Sequence, residues 1–243
     1  MAFTEELYAT DAYRRTFEGA VVDVDREHSR VALNRTVFYP GGGGQPHDTG
    51  TLTWPDGTAA VVKARKEGGL VWHWLDVEPE GLPDVGVEAA GDLDWEHRHM
   101  LMRTHTALHV LCGVIWADFG VAVTGGNMEP GAGRLDFELD EMSAELGALV
   151  ERRINEEIAR ARHILVDFVD RSEADLDPAL IRTKANLIPA GIDPLRVIDI
   201  VGLDKQADGG THVASTIEVG RVAVTGTESK GRANKRIRIA VTD

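Results

Sequence analysis

At 243 residues with 43% apolar content, the chain is long enough for one large domain or two modest ones around an ordinary packed core, which excludes a disordered polymer. Its single cysteine, Cys112, excludes an intrachain disulfide and any cysteine cluster for a metal, and fits a reducing compartment. A formal net charge of −14 argues against binding nucleic acid through the whole surface, so a nucleic-acid partner requires a local basic face.

The first residues, Met1 to Glu6, lack a basic region followed by an apolar run, and no stretch approaches the roughly 18 apolar residues of a membrane span. A soluble cytoplasmic protein with no membrane partner is the expectation. From Tyr8 to about Gly91 short β-branched or aromatic runs alternate with turn residues: Gly19–Val24, Arg30–Leu33, Thr36–Tyr39, Gly50–Trp54, Ala60–Lys63 and Leu70–Leu75, with Pro55-Asp56-Gly57 as a turn between two of them. Six or so strands at this spacing predict a small β-barrel or sandwich. From Asp76 to Asp94 acids accumulate with Pro79, Pro83 and several glycines, a mix that reads as a solvated connection between domains, though part of it can still pair as strand.

Within this first region, Phe38-Tyr39-Pro40-Gly41-Gly42-Gly43-Gly44-Gln45-Pro46 stands out, because four successive glycines cost more backbone entropy than a simple turn requires. Peptide groups without side chains can offer donors to an oxyanion, a ribose or a phosphate, and the Gln45 amide both donates and accepts. A flexible hairpin loop explains the same residues.

The run from Trp95 to Phe119 lacks proline and places Leu101, Leu108, Val110, Leu111 and Ile115 at helical spacing, which predicts a buried helix. On it His105 and His109 are four apart, so both imidazoles share one face and can share one cation. Val121–Asn127 and Gly133–Leu139 read as paired strands around a Gly-rich turn. A helix from about Ser143 to Arg162 follows, with Leu146, Leu149, Val150, Ile154 and Ile158 on one stripe and a mixed-charge face expected to be solvated. Ile164–Val169 is a strand, Ser172–Asp175 can open another helix, and Leu195–Ile200 is a strand leading into Asp208-Gly209-Gly210-Thr211-His212. There Asp208 and His212 are again four apart, but the glycines between them argue for a tight turn. His105, His109, Asp208 and His212 together give three nitrogens and a carboxylate, a set that suits zinc in a catalytic site. A buried histidine bonded to a carbonyl is the plainer account of either pair. His97 and His99 sit on or near the same helix and read as surface or supporting residues, while His28, His47, His73 and His163 lack partners at ligand-like spacing and read as structural. More strands are expected from Thr211 to Gly220 and from Arg221 to Val241. Lys230, Arg232, Lys235 and Arg236 make the last segment basic, able to follow a phosphate backbone or simply to offset an acidic protein. The class is α+β: a small barrel over 1–92, then residues 93–243 as helices on an antiparallel sheet.

His105-Thr-Ala-Leu-His109, Gly-Gly-Thr-His212-Val, the Phe-Tyr-Pro-x-Gly-Gly-Gly-Gln-Pro loop ending at Pro46 and Glu228-Ser-Lys-Gly-Arg-x-Asn-Lys-Arg-Ile resemble, in order, the motifs of alanyl-tRNA editing proteins, the free-standing AlaX family. They are also similar to the editing domain of alanyl-tRNA synthetase. The resemblance covers about residues 20 to 240, and the N-terminal barrel matches the longer members. It implies hydrolysis of the ester joining serine or glycine to tRNA(Ala), at zinc held by His105, His109, position 208 and His212, in a two-layer editing domain. The family pattern expects cysteine at 208, where this chain has Asp208; hard oxygen in place of soft sulfur weakens selectivity for zinc over other divalent ions. The resemblance places Gly42, Gly43, Gly44 and Gln45 beside the amino-acid end of a misacylated tRNA(Ala), with Lys230, Arg232 and Arg236 as candidates for its acceptor-stem backbone. A tRNA-binding module without catalysis and a metal-dependent hydrolase of another small ester or amide are the competing readings.

Overall fold

The computed structural model describes residues 3–140, 143–174, 180, 191–229, 231 and 234–242. The chain divides into two compact units, Met1–His99 and Met100–Asp243.

In the first unit β1 (Glu5–Glu6) pairs in parallel with β4 (Arg35–Thr36), beside a closed antiparallel barrel. The barrel strands are β2 (Thr16–Asp25), β3 (Arg30–Leu33), β5 (Gly50–Trp54), β6 (Gly57–Glu67), β7 (Leu70–Leu75) and β8 (Glu88–Leu93), in the order β2-β3-β7-β6-β5-β8. Alternation drives closure: Phe17, Leu52, Val61 and Leu93 point into one buried cluster, which Val21 and Leu33 join, while exposed residues alternate with them along β2, β5, β6 and β8. Pro55-Asp56 makes the expected two-residue link, with Trp54 paired to Gly57.

Part of the acidic stretch 76–94 does pair as strand: Glu88–Leu93 alternates exposed and buried residues and closes the barrel between β2 and β5. One expectation is corrected here: Thr36–Tyr39 is not a strand beyond Thr36. Val37, Phe38 and Tyr39 are buried, and side chains satisfy the backbone there: Phe38 N–H donates to Thr36 Oγ1 (3.1 Å) and Tyr39 N–H to Asp48 Oδ2 (2.5 Å).

α1 (Trp95–Phe119) forms as expected, and from Leu101 to Ile115 it is buried nearly all round, the pattern of a central helix. In the second unit β9 (Val123–Glu129) and β10 (Ala132–Phe137) form the expected hairpin, and Gly131 N–H donates to Thr104 Oγ1 of α1 (2.9 Å). α2 (Ala144–Ala159) is capped by Ser143, whose side chain accepts from Leu146 N–H (3.1 Å). Then follow β11 (Ile164–Val169), the one-turn α3 (Arg171–Ala174), β12 (Leu195–Ile200), β13 (Asp204–Ala207), β14 (Arg221–Ser229) and β15 (Lys235–Thr242). They make two antiparallel sheets, β14-β15-β10-β9 and β11-β12-β13. The mixed α+β class is as expected.

α2 covers the edge strand β14: Asn155 donates to Val222 O (2.7 Å) and accepts from Val222 N–H (3.0 Å), and Glu151 accepts from Val224 N–H (2.8 Å). The charged face of α2 is not simply solvated, since Glu157 is buried and bonded by Arg162 (2.8 Å). Thr216–Val219 is a short 3-10 helix closed by a Ser215–Glu218 capping box, where strand was expected. Asp175, expected at the start of a helix, lies outside the described residues.

Candidate metal centre

Four side chains from two distant segments converge in the second unit. His105 and His109 project from one face of α1, and their ring centroids are 5.1 Å apart. His212 closes the triangle at 4.4 Å from His105 and 4.8 Å from His109. Asp208 lies with its Oδ1 3.7 Å from His105 Nε2 and its Oδ2 3.1 Å from His212 Nε2. One ligand atom from each of the four falls within 4.8 Å of the others.

The turn that delivers Asp208 and His212 is fixed by its own sequence. Asp208 N–H donates to Arg196 O (3.0 Å), and Gly210 N–H donates to Asp208 Oδ2 (2.7 Å), an Asx-type bond that curls the chain back. The buried Arg196 guanidinium donates to Asp208 O (3.0 Å) and Gly210 O (2.7 Å), which locks the turn from behind. Val213 N–H donates to Thr106 Oγ1 (3.3 Å), and the same hydroxyl lies 3.2 Å from His212 Nδ1. Behind His109, Asp204 Oδ2 lies 2.9 Å from Nδ1.

The donor set fits a divalent cation. Around a tetrahedral ion with ligands at about 2.0–2.2 Å, neighbouring ligand atoms lie roughly 3.3–3.6 Å apart. Asp208 approaches His212 through Oδ2 (3.1 Å) and His105 through Oδ1 (3.7 Å), and the four donors spread to 4.8 Å, so the carboxylate stands within reach of both imidazoles and the set closes on an ion by a modest contraction. Metal ligation uses neutral imidazole. Burial pushes His105 down to about 4, with His109 and Arg196 adding to the effect, and burial together with His105 holds His212 well below 6.5.

The other singled-out residues occupy different surroundings. Gly42 and Gln45 exchange backbone bonds (3.0 and 2.9 Å), so Gly43 and Gly44 form a tight hairpin tip in the first unit. Gly41 to Gly44 all have positive φ, 79°, 134°, 55° and 91°, which accounts for the run of glycines better than flexibility does. Below the tip, Tyr39 O–H donates to Gly42 O (3.0 Å), and Asp48 N–H to Tyr39 O (3.0 Å). Asp48 is fully buried against Arg98, whose guanidinium also donates to Ala12 O (2.9 Å) and Val37 O (2.7 Å). Arg236 is buried and bidentate on Asp136, both contacts 2.7 Å, and its guanidinium lowers the Asp136 carboxyl. Lys230 and Arg232 lie outside the described residues. Lys235 donates to Ser229 Oγ and Gly231 O, both 2.9 Å, at the base of that hairpin.

Among the remaining histidines, His73 is buried, lowered to about 4 by burial, and accepts from Thr36 O–H (2.9 Å). His97 donates to His47 O (3.2 Å), His47 to Asp48 O (2.9 Å), and His99 stacks on Trp95 at 5.1 Å. His28 pairs with Asp25, and His163 bridges to Ser215. Sequence reasoning missed Asp204, Arg196 and Thr106 around the cluster, and Asp48 with Arg98 beneath the loop. For Asp204 a signal existed: Asp204, Gln206 and Asp208 repeat at period two, and the first two are buried polar residues on one face of β13.

Residues 12–97 match the tRNA synthetases class II (A) family, and residues 195–238 match the threonyl and alanyl tRNA synthetase second additional domain. The chain is 36% identical over 236 residues to the alanyl-tRNA editing protein AlaX-M of Saccharolobus solfataricus, covering 96% of this chain and 97% of the relative. It is 35% identical to AlaX-M of Methanosarcina barkeri, covering 99% and 100%. Similarity extends to alanine-tRNA ligase of Pyrobaculum arsenaticum, 34% identical over 93% of this chain but only 25% of that longer protein. The chain belongs to the family of alanyl-tRNA editing proteins of the AlaX-M type.

Proposed function

We propose that this chain is a trans-editing deacylase that hydrolyses the ester of serine or glycine wrongly attached to tRNA(Ala), using zinc held by His105, His109, Asp208 and His212. The observation that carries the reading is the convergence of three buried imidazoles and one carboxylate, with a donor atom from each within 4.8 Å of the others. The names of the AlaX-M relatives, matched over nearly the whole chain, support the substrate class.

Bound zinc supplies Lewis acidity, which polarises the ester carbonyl or lowers the pKa of a water. The protein's own part is to hold the imidazoles neutral and all four ligands fixed. Burial keeps His105 and His212 unprotonated at neutral pH, and the Gly210 N–H bond to Asp208 Oδ2 leaves Oδ1 facing His105. Backbone N–H groups at the tip, Gly43 and Gly44, are suited to grip the hydroxyls and carbonyl of the acylated ribose, while Gly42 and Gln45 close the tip behind them through their mutual backbone bonds. In this reading residues 1–92 present that loop and residues 93–243 carry the metal. Lys230 and Arg232 neutralise acceptor-stem phosphates. Arg236, held by Asp136, anchors β15, the strand that follows them in sequence. A cytoplasmic location suits action on tRNA.

Alanine at His105 or at His212 tests the assignment. Each substitution is expected to abolish release of serine from seryl-tRNA(Ala) while leaving the fold intact by circular dichroism. Undiminished release in both variants refutes the metal centre.

A further inference from the structure

We infer that Asp204 is a positioning residue that fixes the tautomer and aim of His109, so that Nε2 of that ring is the atom turned to the metal. The inference rests on the metal reading above and adds a residue outside the ligand set.

The geometry is specific. Asp204 Oδ2 lies 2.9 Å from His109 Nδ1, and the carboxylate is fully buried. A carboxylate has no proton to give, so the imidazole donates through Nδ1–H, and its Nε2 carries the free lone pair. Gln206, two residues along the same face of β13, donates from Nε2 to Asp204 Oδ2 (2.7 Å) and lies 3.3 Å from Cys112 Sγ on α1. The buried carboxylate is thereby held from its own strand and tied to the helix that bears His109.

Close approach of β13 to α1 makes this contact possible. Gly113 is one turn beyond His109 on the same helix face, and a Cβ built there would meet Leu203 Cγ at 2.8 Å and Asp204 Cβ at 3.2 Å. Any larger residue at 113 pushes Asp204 away from the ring. His212 is supported differently, by the neutral Thr106 hydroxyl 3.2 Å from its Nδ1. Asp204 thus supplies a charged support to a ligand ring, behind a histidine that shares its helix with His105. Carboxylates so placed raise ligand basicity, and losing one costs about 10–100-fold in metal affinity.

The test uses zinc alone as the probe. Zinc affinity is measured by competition with a chromophoric chelator for the native protein, for Asp204→Asn and for Gly113→Ala. Asn keeps the shape and loses the charge, so an affinity loss of about 10–100-fold is expected, with a smaller loss for Gly113→Ala. Unfolding midpoints in chelator report the fold separately; a purely structural role shifts those midpoints and leaves zinc affinity of the folded protein unchanged. A variant-free measurement accompanies it: long-range proton–nitrogen correlation spectra of the zinc-free protein are expected to show His109 protonated at Nδ1 with Nε2 bare. Native zinc affinity with Asp204→Asn within twofold of it, or His109 protonated at Nε2, overturns the role of Asp204 and leaves the metal centre standing. A native protein that binds no zinc overturns both.

Discussion

Replacing Arg98 by methionine is expected to loosen the first unit and its glycine loop together. Arg98 and Asp48 are both fully buried, and the guanidinium bonds to the carboxylate and to the carbonyls of Ala12 and Val37. Methionine fills much of the same volume but leaves the buried Asp48 carboxylate, which still accepts from Tyr39 N–H, without its countercharge, and takes the guanidinium donor from two carbonyls. Removing one partner of a buried pair costs about 3–5 kcal/mol, and the orphaned carbonyl of buried Val37 about 1–3 kcal/mol before relaxation, with less at the part-buried Ala12. These terms overlap, so about 4 kcal/mol is a fair total, a large share of the roughly 5–15 kcal/mol that holds a domain together. With a urea dependence of about 2 kcal/mol per molar, the unfolding midpoint drops by roughly 2 M. Four of the five tryptophans, Trp54, Trp72, Trp74 and Trp95, lie in Met1–His99, so fluorescence reports this unit. Zinc binding should survive, because no ligand residue is touched, while deacylation falls as the segment Tyr39–Asp48 loses its anchor. A midpoint shift below about 0.5 M refutes the reasoning.

Three further outcomes are expected. Asp208→Cys should keep metal binding and sharpen preference for zinc over manganese, read from competition titrations, because thiolate is the softer ligand; equal selectivity in the two proteins contradicts this. The first unit should weaken in mild acid. His73 is unprotonated in the folded barrel down to about 4 but takes a proton below 6.5 once unfolded, so stability is complete above 6.5 and lost as pH falls toward 4, by about 3 kcal/mol; urea midpoints that stay flat across that window argue against it. Asn155→Ala should cost about 2 kcal/mol by stripping two bonds from the edge strand β14, measurable as a lower thermal midpoint.

Much of this architecture was legible where one local pattern decides the outcome. Alternation in Gly50–Trp54 and Leu70–Leu75 marks strands, and the proline-free run from Trp95 to Phe119 marks the helix that carries His105 and His109. The spacing of four put two imidazoles on one helical face, and the Gly-Gly turn before His212 explained how a second pair could meet them. Other features depend on partners far along the chain. Glu88–Leu93 buries Ala89, Gly91 and Leu93, but small residues and flanking acids hid its alternation. Val37 to Tyr39 have strand-like side chains, yet Thr36 and Asp48 take their backbone bonds instead. Arg98 reads as one more polar residue of a helix start until Asp48, fifty positions earlier, is seen against it. Arg236 likewise read as a free cation of a basic tail, and only the β10–β15 register sets it opposite Asp136.

The most direct test of the central claim is deacylation of seryl-, glycyl- and alanyl-tRNA(Ala) by the native protein, before chelation, after it and after zinc is restored. Release of serine or glycine but not alanine, lost on chelation and recovered with zinc, is the expected result. No release under any of these conditions, with the tRNA still bound, contradicts the account and leaves an RNA-binding protein without catalysis.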